Sequence, residues 1–424
     1  MQPRVVTTRT VGVLAVCSVA ACGGRLTASH ASPAEGGAED ASADVVAVPL
    51  PVDCSRSTLV VSPATTLTGI PQPSPPAGYP AGATLGPPLI TAAATSAGDV
   101  VLVSLAWGPS GSFTVVRLTA DDVTASPLVT ASPAGQAAFD GQDLVLLSGT
   151  PSEGIGVQRV GSDGSLVGDP VTGLGGQVLA DLTDEKAGAG PAVTVPSGAA
   201  ITWLGLLSAD SGVSGAMHAS VIGPGSTLVH DEILPGRLAS VATLGGRTYA
   251  ASCPVPPFTV PVLTDLGWSG EPVSTQPVQG AYCPYGVPGS LAARRGLSWP
   301  VLSLGSKLGM VFSGSDGGFE NMWLYEGEPD GPFTPVVPLP DYLATIAADG
   351  CGRVAILATS GAVGGPSWPA LTAQAGSMSS QPLTLAPAAM TVAVAPTPGG
   401  FVVLWLAPTS SSQQTLQVAT LTWQ

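Results

Sequence analysis

Short runs of apolar residues, bounded by glycine, proline and serine, recur along most of this chain. The clearest example is residues 98–121, GDVVLVSLAWGPSGSFTVVRLTAD, where two apolar segments flank a Gly/Pro/Ser turn. β-Branched and aromatic residues favour strands, and Gly, Pro and Ser favour the turns between them. Sustained patterns of helical period are missing from the sequence. The pattern therefore predicts an all-β protein built from short hairpins.

This hairpin recurs seven times, and a glycine stands before the second strand of each copy. The marker glycines are Gly98, Gly141, Gly198, Gly246, Gly305, Gly352 and Gly400. The strands predicted after them span residues 100–106, 144–148, 199–207, 247–252, 308–313, 354–358 and 401–407. Successive markers lie 43 to 59 residues apart, and four-stranded propeller blades repeat about every 40–50 residues.

The two ends of the repeat are complementary. The last copy stops after three strands, whereas a spare apolar strand, residues 57–62, precedes the first copy. We therefore predict a β-propeller of seven four-stranded blades, closed by this N-terminal strand, because closure removes exposed sheet edges. A pair of β-sandwiches would not repeat seven times, and an open solenoid would not need the spare strand. The number of blades would be six or eight if the repeats were miscounted.

The composition agrees with a folded β-protein and limits the classes of partner that the protein could bind. Glycine (55) and proline (42) make up just under a quarter of the 424 residues, and charged residues are only 10%. The net charge is −15, and the one adjacent basic pair is Arg294–Arg295. Because phosphate binding needs clustered Lys and Arg, we expect no nucleic-acid partner.

The N-terminus carries an export signal. Arg4 and Arg9 precede an apolar run at residues 11–21, which is too short to span a bilayer. The run ends in Val19-Ala20-Ala21-Cys22, followed by two glycines. This ending resembles the lipobox of bacterial lipoproteins, and the resemblance implies that Cys22 becomes the lipid-modified mature N-terminus. The alternative is ordinary cleavage near Ala20–Ala21, which would release a secreted protein.

This reading divides the chain into three parts: a signal peptide at residues 1–21, a flexible tether at 22–50, and the propeller domain at 51–424. The tether is rich in Ala, Ser, Gly and acidic residues and has no sustained period. No acidic residue follows Cys22 directly, so the inner-membrane retention signal of such lipoproteins is missing. We therefore expect an anchor in the outer membrane of a Gram-negative bacterium.

Four cysteines follow the signal region: Cys54, Cys253, Cys283 and Cys351. An exported protein can oxidise them, and four cysteines allow three pairings. We predict Cys253–Cys283 across the outer part of one blade, and Cys54–Cys351 pinning the N-terminal strand to blade 6 or 7. The alternative is four buried free thiols. Metal binding has little support, because no CxxC or Cys/His spacing is present.

Catalytic motifs are missing from the sequence. There is no GxSxG, SxxK or HExxH pattern, and His218 and His230 stand apart from recognisable partners. We therefore predict no catalytic residues, no metal and no cofactor.

Two segments are candidates for ligand binding. Residues 279–300 form the longest connection between repeats, and long loops often carry binding sites. Residues 316–330 are the densest patch of acidic and aromatic side chains, a composition that suits Ca²⁺ or a sugar, although the regular spacing of a calcium loop is missing. The candidate binding residues are Tyr282, Tyr285, Arg294, Arg295, Trp299, Trp323 and Tyr325.

We expect a lipid-anchored envelope protein that acts as a binding or scaffold module, with an envelope protein or polysaccharide as its partner. The alternative is a glycosidase or lyase with carboxylates at the propeller channel. Carboxylates at the channel mouth would favour the enzyme, whereas a channel lined by small and apolar residues would count against it.

Overall fold

The chain forms seven β-sheets arranged as blades around a central channel, and each sheet contains at least four strands. The computed structural model describes residues 16–17 and residues 53–424 except 75–76, 79–87, 96–97, 108–111, 120–122, 126–128, 131–135, 141, 151–153, 176–192, 196–197, 210–211, 235–237, 255–259, 269–272, 284–300, 315–321, 341–342, 361–368, 378–381 and 409–413. The predicted all-β propeller of seven blades is confirmed. No helix within the described ranges is long and apolar enough to cross a membrane.

The four main strands of each blade pair antiparallel and follow chain order from the channel outwards, except that the outer strands of blade 7 come from the N-terminal part of the chain. In blades 1 and 7, the last two short strands named below both pair with the third strand. From inside to outside, the strands are Leu89–Ala94, Val101–Trp107, Ser112–Leu118, Val123–Ala125 and Val129–Thr130 in blade 1; Gln136–Phe139, Leu144–Thr150, Gly154–Val160 and Leu166–Leu174 in blade 2; Val193–Val195, Gly198–Ala209, Gly212–Gly223 and Thr227–Leu234 in blade 3; Leu238–Leu244, Arg247–Cys253, Val262–Asp265 and Ser274–Pro277 in blade 4; Val301–Leu304, Lys307–Ser313, Met322–Gly327 and Thr334–Pro338 in blade 5; Leu343–Ala348, Val354–Thr359, Leu371–Ala375 and Leu383–Ala386 in blade 6; and Val392–Thr397, Gly400–Pro408, Gln414–Trp423, Leu59–Val61 and Thr65–Leu67 in blade 7. All seven predicted second strands are confirmed.

The inner strands of each blade are buried on both faces, which explains why they read as continuous apolar runs. Every residue of Val101–Trp107 is buried. In the second strand of blade 7, Val403 and Trp405 pack towards blade 6, while Leu404 packs towards blade 1. Among the residues that the structure describes, buried apolar side chains form seven such clusters, one between each pair of neighbouring blades. Seven interfaces for seven blades mean that the ring is closed.

Closure uses the N-terminal strand, as predicted. Leu59–Val61 pairs antiparallel with the last strand of the chain, with Leu59 opposite Trp423. Backbone hydrogen bonds between Thr58 and Gln424, at 3.1 and 2.9 Å, extend this pairing. A second short strand, Thr65–Leu67, pairs with the same C-terminal strand and was not predicted. At the channel side of blade 7, Val16–Cys17 pairs in parallel with the innermost strand.

Both predicted disulfides are present. Cys54–Cys351 has a Cα–Cα distance of 5.5 Å and ties the closing segment to the turn between the first two strands of blade 6. Cys253–Cys283, at 5.8 Å, ties the second strand of blade 4 to the chain that leaves this blade. Arg353 reinforces the first link, since its Nη1 donates to the carbonyl oxygens of Asp53 and Arg56, both at 3.1 Å.

Candidate functional site: a cleft between blades 2 and 3

A cleft of about 700 Å³ opens between the outer parts of blades 2 and 3. We call it the interblade cleft. It lies where the two sheets diverge outwards from the apolar cluster that joins them. Its lining residues are Asp140, Gln142, Asp143, Arg159, Val167, Gly168, Asp169, Val171, Gly198, Pro224, Gly225, Ser226 and Val229.

Arg159 forms the floor of the cleft because of its position in the third strand of blade 2. Side chains alternate along a strand, so Arg159 projects to the same side as Ile155 and Val157, which pack against blade 3. The arginine side chain is only 7% exposed. It therefore needs partners, since an unpaired buried charge is strongly unfavourable.

Blade 2 supplies two carboxylates to Arg159, and blade 3 supplies neutral acceptors. Nη1 pairs with Asp140 Oδ2 and lies 3.5 Å from Asp143 Oδ2. Nη2 donates to the carbonyl oxygen of Gly223 at 2.6 Å, and Nε donates to Ser226 Oγ at 3.3 Å. The guanidinium thus bridges the two blades and is fully engaged.

The pKa values of the two aspartates shift in opposite directions, because the local turn donates hydrogen bonds to the Asp140 carboxylate. The backbone N–H groups of Gln142 and Asp143 donate to Asp140 Oδ1, at 2.9 and 2.8 Å. Burial alone would raise the pKa of Asp140, but these N–H groups and Arg159 hold it below its ordinary value. Burial and the adjacent Asp140 carboxylate instead raise the pKa of Asp143. With both ionised, two carboxylates face one guanidinium, and the floor keeps a net negative charge.

The walls of the cleft are formed by the outermost strands. Val167 and Val171 lie opposite Arg159 and Val157 in the blade 2 register and share their side of the sheet. On blade 3, Asp231 and Ile233 lie opposite Ser220 and His218, which face blade 2 together with Trp203. Of the apolar residues that line the cleft, Val229 is 45% exposed and Val167 40%. Ile233 lies further along the same outer strand of blade 3, outside the lining, and is 58% exposed. The cleft therefore combines an acidic floor with exposed apolar walls.

His218 has partners that the sequence did not reveal. Its Nδ1 lies 3.1 Å from Asp231 Oδ1, and its ring stacks on Trp203 with centroids 4.4 Å apart. Ser220 also meets Asp231, because its hydroxyl donates to Oδ1 at 2.5 Å and accepts from Trp203 Nε1 at 2.7 Å. Although Ser, His and Asp are all present, the serine donates to the aspartate and not to the histidine, and it is fully buried. This network connects the outer three strands of blade 3 outside the described lining of the cleft, and it lacks the arrangement that activates a nucleophile.

None of the predicted binding residues that the structure describes lines the interblade cleft. Tyr285, Arg294, Arg295 and Trp299 lie outside the described residues. Tyr282 is half-buried at the boundary between blades 4 and 5, where it pairs through its backbone with Ser313.

The two aromatic candidates of blade 5 belong to the sheet packing. Tyr325 is 2% exposed, and its hydroxyl donates to the carbonyl oxygens of Gly280 and Ser313 at 3.1 and 3.2 Å. Trp323 is half-buried against the same apolar cluster. Side chains alternate along a strand, and this alternation places the Tyr325 ring in the core. A ring buried in this way cannot stack on a sugar.

The acidic residues around these aromatics do not form a cation site within the described ranges. Glu326 pairs with Lys307 at 2.6 Å, while Glu328 and Asp330 are exposed. Asp316 and Glu320 lie outside the described residues. Among the residues that the structure describes, no group of three His, Cys, Asp or Glu side chains could hold a metal ion.

The channel lining bears on the enzyme alternative. The seven innermost strands, as the structure describes them, contain small and apolar residues with Thr, Ser, Gln and Pro, and none carries Asp or Glu. The paired carboxylates that glycoside hydrolysis requires are therefore missing from these strands.

Sequence reasoning missed the interblade cleft, although one signal for it was present. In the segment GIGVQRV, Arg159 occupies a position whose same-side neighbours are apolar, in a chain with 13 Lys and Arg. A charged residue on the buried side of a strand requires a partner across the interface. The identity of that partner, Asp140 and Asp143, follows only from the register of the blade.

Comparisons with known proteins assign no family to this chain. No family model matches the chain, and no curated protein matches it. The β-propeller domain of the Trilobed protease from Pyrococcus furiosus, described as having an open velcro topology, is similar with a TM-score of 0.49 and 9% identity, over 78% of this chain and 95% of that one.

Two further solved structures are similar at the same level. An acylaminoacyl peptidase from Pyrococcus horikoshii gives a TM-score of 0.47 at 10% identity, over 77% of this chain and 51% of that chain. A mutant of Trypanosoma rangeli sialidase gives 0.42 at 8% identity, over 85% and 59%. At such identities the likeness concerns the fold alone. The chain is a seven-bladed β-propeller, and its function has to be argued from its own residues.

Proposed function

We propose that this protein is a lipid-anchored component of the bacterial cell envelope that acts by binding a partner through its propeller. The observation that carries the binding role is the interblade cleft, since a concave site with exposed apolar walls and a few placed polar groups is typical of binding sites. The described innermost strands supply no carboxylates for an enzyme, so binding is favoured over glycoside chemistry.

The anchor and the location rest on the lipobox Val19-Ala20-Ala21-Cys22, and the two disulfides support an oxidising compartment. Several acyl chains at Cys22 would anchor the protein stably, and the absence of an acidic residue after Cys22 favours the outer membrane. Processing before Cys22 would remove Val16–Cys17 from blade 7. The ring closure by Leu59–Val61 would remain.

The anchor is tested by mass spectrometry of the mature N-terminus after expression of the full chain in a Gram-negative host. We expect a terminal peptide that begins at Cys22 and carries acyl chains, and we expect Cys22→Ala to leave the membrane fraction. An unmodified N-terminus downstream of Cys22 would refute the lipid anchor.

The binding role is tested by placing a photo-reactive amino acid at Val167, on the wall of the cleft, in the source cell. Val273 is the matched control, because it is 53% exposed just before the outermost strand of blade 4. We expect a cross-linked adduct of defined mass at Val167 and none at Val273. If Val167 forms no adduct, or the same adducts as Val273, the cleft is not the binding surface.

A further inference from the structure

The outermost strand of blade 3 is unusual among the described outer strands. Thr227–Leu234 contains eight residues and neither Gly nor Pro. In blade 2 the outer strand is nine residues long, but Gly168, Pro170 and Gly173 interrupt it. The other outer strands that the structure describes have five residues or fewer. Within the described part of the chain, no strand pairs with the outer edge of Thr227–Leu234.

An uninterrupted outer edge is a template for another strand, because its outward N–H and C=O groups lack partners in the sheet. Proteins block such edges with proline, bulges or short strands. The blade 2 edge has such protection, whereas the blade 3 edge has only the bulge near Val229 and its charges. Its exposed Ile233 and Val229 add apolar area to this edge.

The charges at the edge indicate what kind of strand it accepts. Asp231 and Glu232 follow each other, so one carboxylate lies on the side of blade 2 and the other on the side of blade 4. The cleft adds Asp140, Asp143 and Asp169, and its one lining cation, Arg159, is already engaged. The whole chain carries a net charge of −15. Both faces of an added strand would therefore meet negative charge.

We propose that an extended, basic segment of a partner protein adds to Thr227–Leu234 as a fifth strand of blade 3. This inference rests on the proposed binding function and names its partner. Main-chain hydrogen bonds supply affinity, and alternating side chains supply specificity. One set lies on the blade 2 side, against Ile233 and, at the cleft, Val229, and the other set lies near Glu232. A polysaccharide is disfavoured, because the described residues that line the cleft include no aromatic side chain on which a sugar could stack.

The test uses the full-length protein and a fluorescent peptide of about ten residues that alternates Lys with Val or Thr, long enough to cover the edge at roughly 3.3 Å per residue. Fluorescence anisotropy measures affinity, and amide hydrogen exchange locates the bound peptide. We expect protection of the amides of Thr227–Leu234. We expect Ile233→Lys to weaken binding by about tenfold or more, while Val273→Lys, at a similarly exposed site, has no effect.

Two matched peptides test the mode of binding. Replacing Lys by Glu should abolish binding, because the edge and the cleft are acidic. N-methylation of alternate residues keeps the charge but removes main-chain donors, and it should weaken binding by about tenfold or more. Equal binding of the methylated peptide, or protection outside Thr227–Leu234, would overturn strand addition.

This outcome is separable from that of the proposed function. If Val167 cross-links in cells but the basic peptide does not protect Thr227–Leu234, the binding role stands and the strand-addition inference falls. If both fail, the proposed function falls as well.

Discussion

At the scale of single residues, the interblade cleft depends on one buried arginine. Arg159 lies among apolar neighbours and is held by Asp140, Asp143 and acceptors of blade 3. Removing the arginine would leave two buried carboxylates without their cation, a change that typically costs about 3–5 kcal/mol. Removing one of the aspartates is the more informative change, because two carboxylates share a single guanidinium.

We predict that Asp143→Asn stabilises the protein at neutral pH. The pKa of Asp143 is raised in the folded state by burial and by the Asp140 carboxylate. A raised acid pKa means that the folded state binds the proton more tightly, so the stability of the native protein falls as pH rises from the unfolded pKa through the folded pKa. The gain from Asn should therefore be largest at neutral pH and should disappear below about pH 4.

The measurement is the thermal unfolding midpoint of both proteins across this pH range. Asp169→Asn is the matched control, because Asp169 lines the same cleft but is exposed, and we expect no change. A lower midpoint for Asp143→Asn at neutral pH would mean that the ionised carboxylate stabilises the fold, contrary to this account.

At the scale of elements, the repeat is set by the turn between the first and second strands of each blade. Every marker glycine that the structure describes has a positive φ, a conformation that side chains with a Cβ rarely adopt. At Gly400 the neighbouring strand also comes close, since a Cβ there would lie 2.0 Å from the carbonyl oxygen of Leu421. The glycine spacing in the sequence thus marks the turn between the first two strands in each of the six blades where that glycine is described.

We expect Gly400→Ala to destabilise the protein more than Gly246→Ala. At Gly246 the φ is +81° and a Cβ would meet open space, so the cost is that of the backbone conformation, about 1–2 kcal/mol. At Gly400 the collision with Leu421 adds to this, because two backbone segments would have to separate. Urea unfolding of both variants measures the difference. Equal losses of unfolding free energy would show that blade 7 accommodates the added methyl group at no extra cost in stability.

At the scale of the whole molecule, the ring is held shut by the segment that contains Cys54 and Leu59–Val61. The strand completes blade 7, and the Cys54–Cys351 disulfide and Arg353 tie the segment to blade 6. Arg353 is itself held by Asp349 at 2.8 Å and lies over the Trp423 ring, 4.9 Å from its centroid. The first residues of the domain therefore add a covalent and a hydrogen-bonded link between two blades that also share an apolar cluster.

We predict that the double variant C54A/C351A loses more stability than C253A/C283A. The first disulfide spans 297 residues and the second 30. In the chain-entropy description these loops correspond to about 6 and about 4 kcal/mol, so the difference should be about 2 kcal/mol. Urea unfolding under non-reducing conditions compares the two variants. A larger loss for C253A/C283A would show that local packing around blade 4, and not ring closure, dominates.

Much of the fold was predictable from the sequence, because a propeller repeats local information. Apolar runs identify strands, marker glycines identify turns, and a spare strand at 57–62 implies closure of the ring. Because Cys54 lies beside that closing strand, few of the other cysteines are close enough to form a disulfide with it. These signals act over distances of a few residues or repeat at a regular interval. The seven second strands, the closing strand and both disulfides can therefore be predicted from the sequence, and the structure confirms them.

The interblade cleft was decided by tertiary structure alone. Arg159 meets Asp140 through the register of blade 2, and it meets Gly223 only because blade 3 packs beside it. The alternation and length of the apolar runs are enough to predict which residues are buried in strands. Which polar side chains share one cleft, and which outer edge stays open, depended on how two separately formed sheets diverge at the rim, because apolar patterns specify burial but not the partner across an interface.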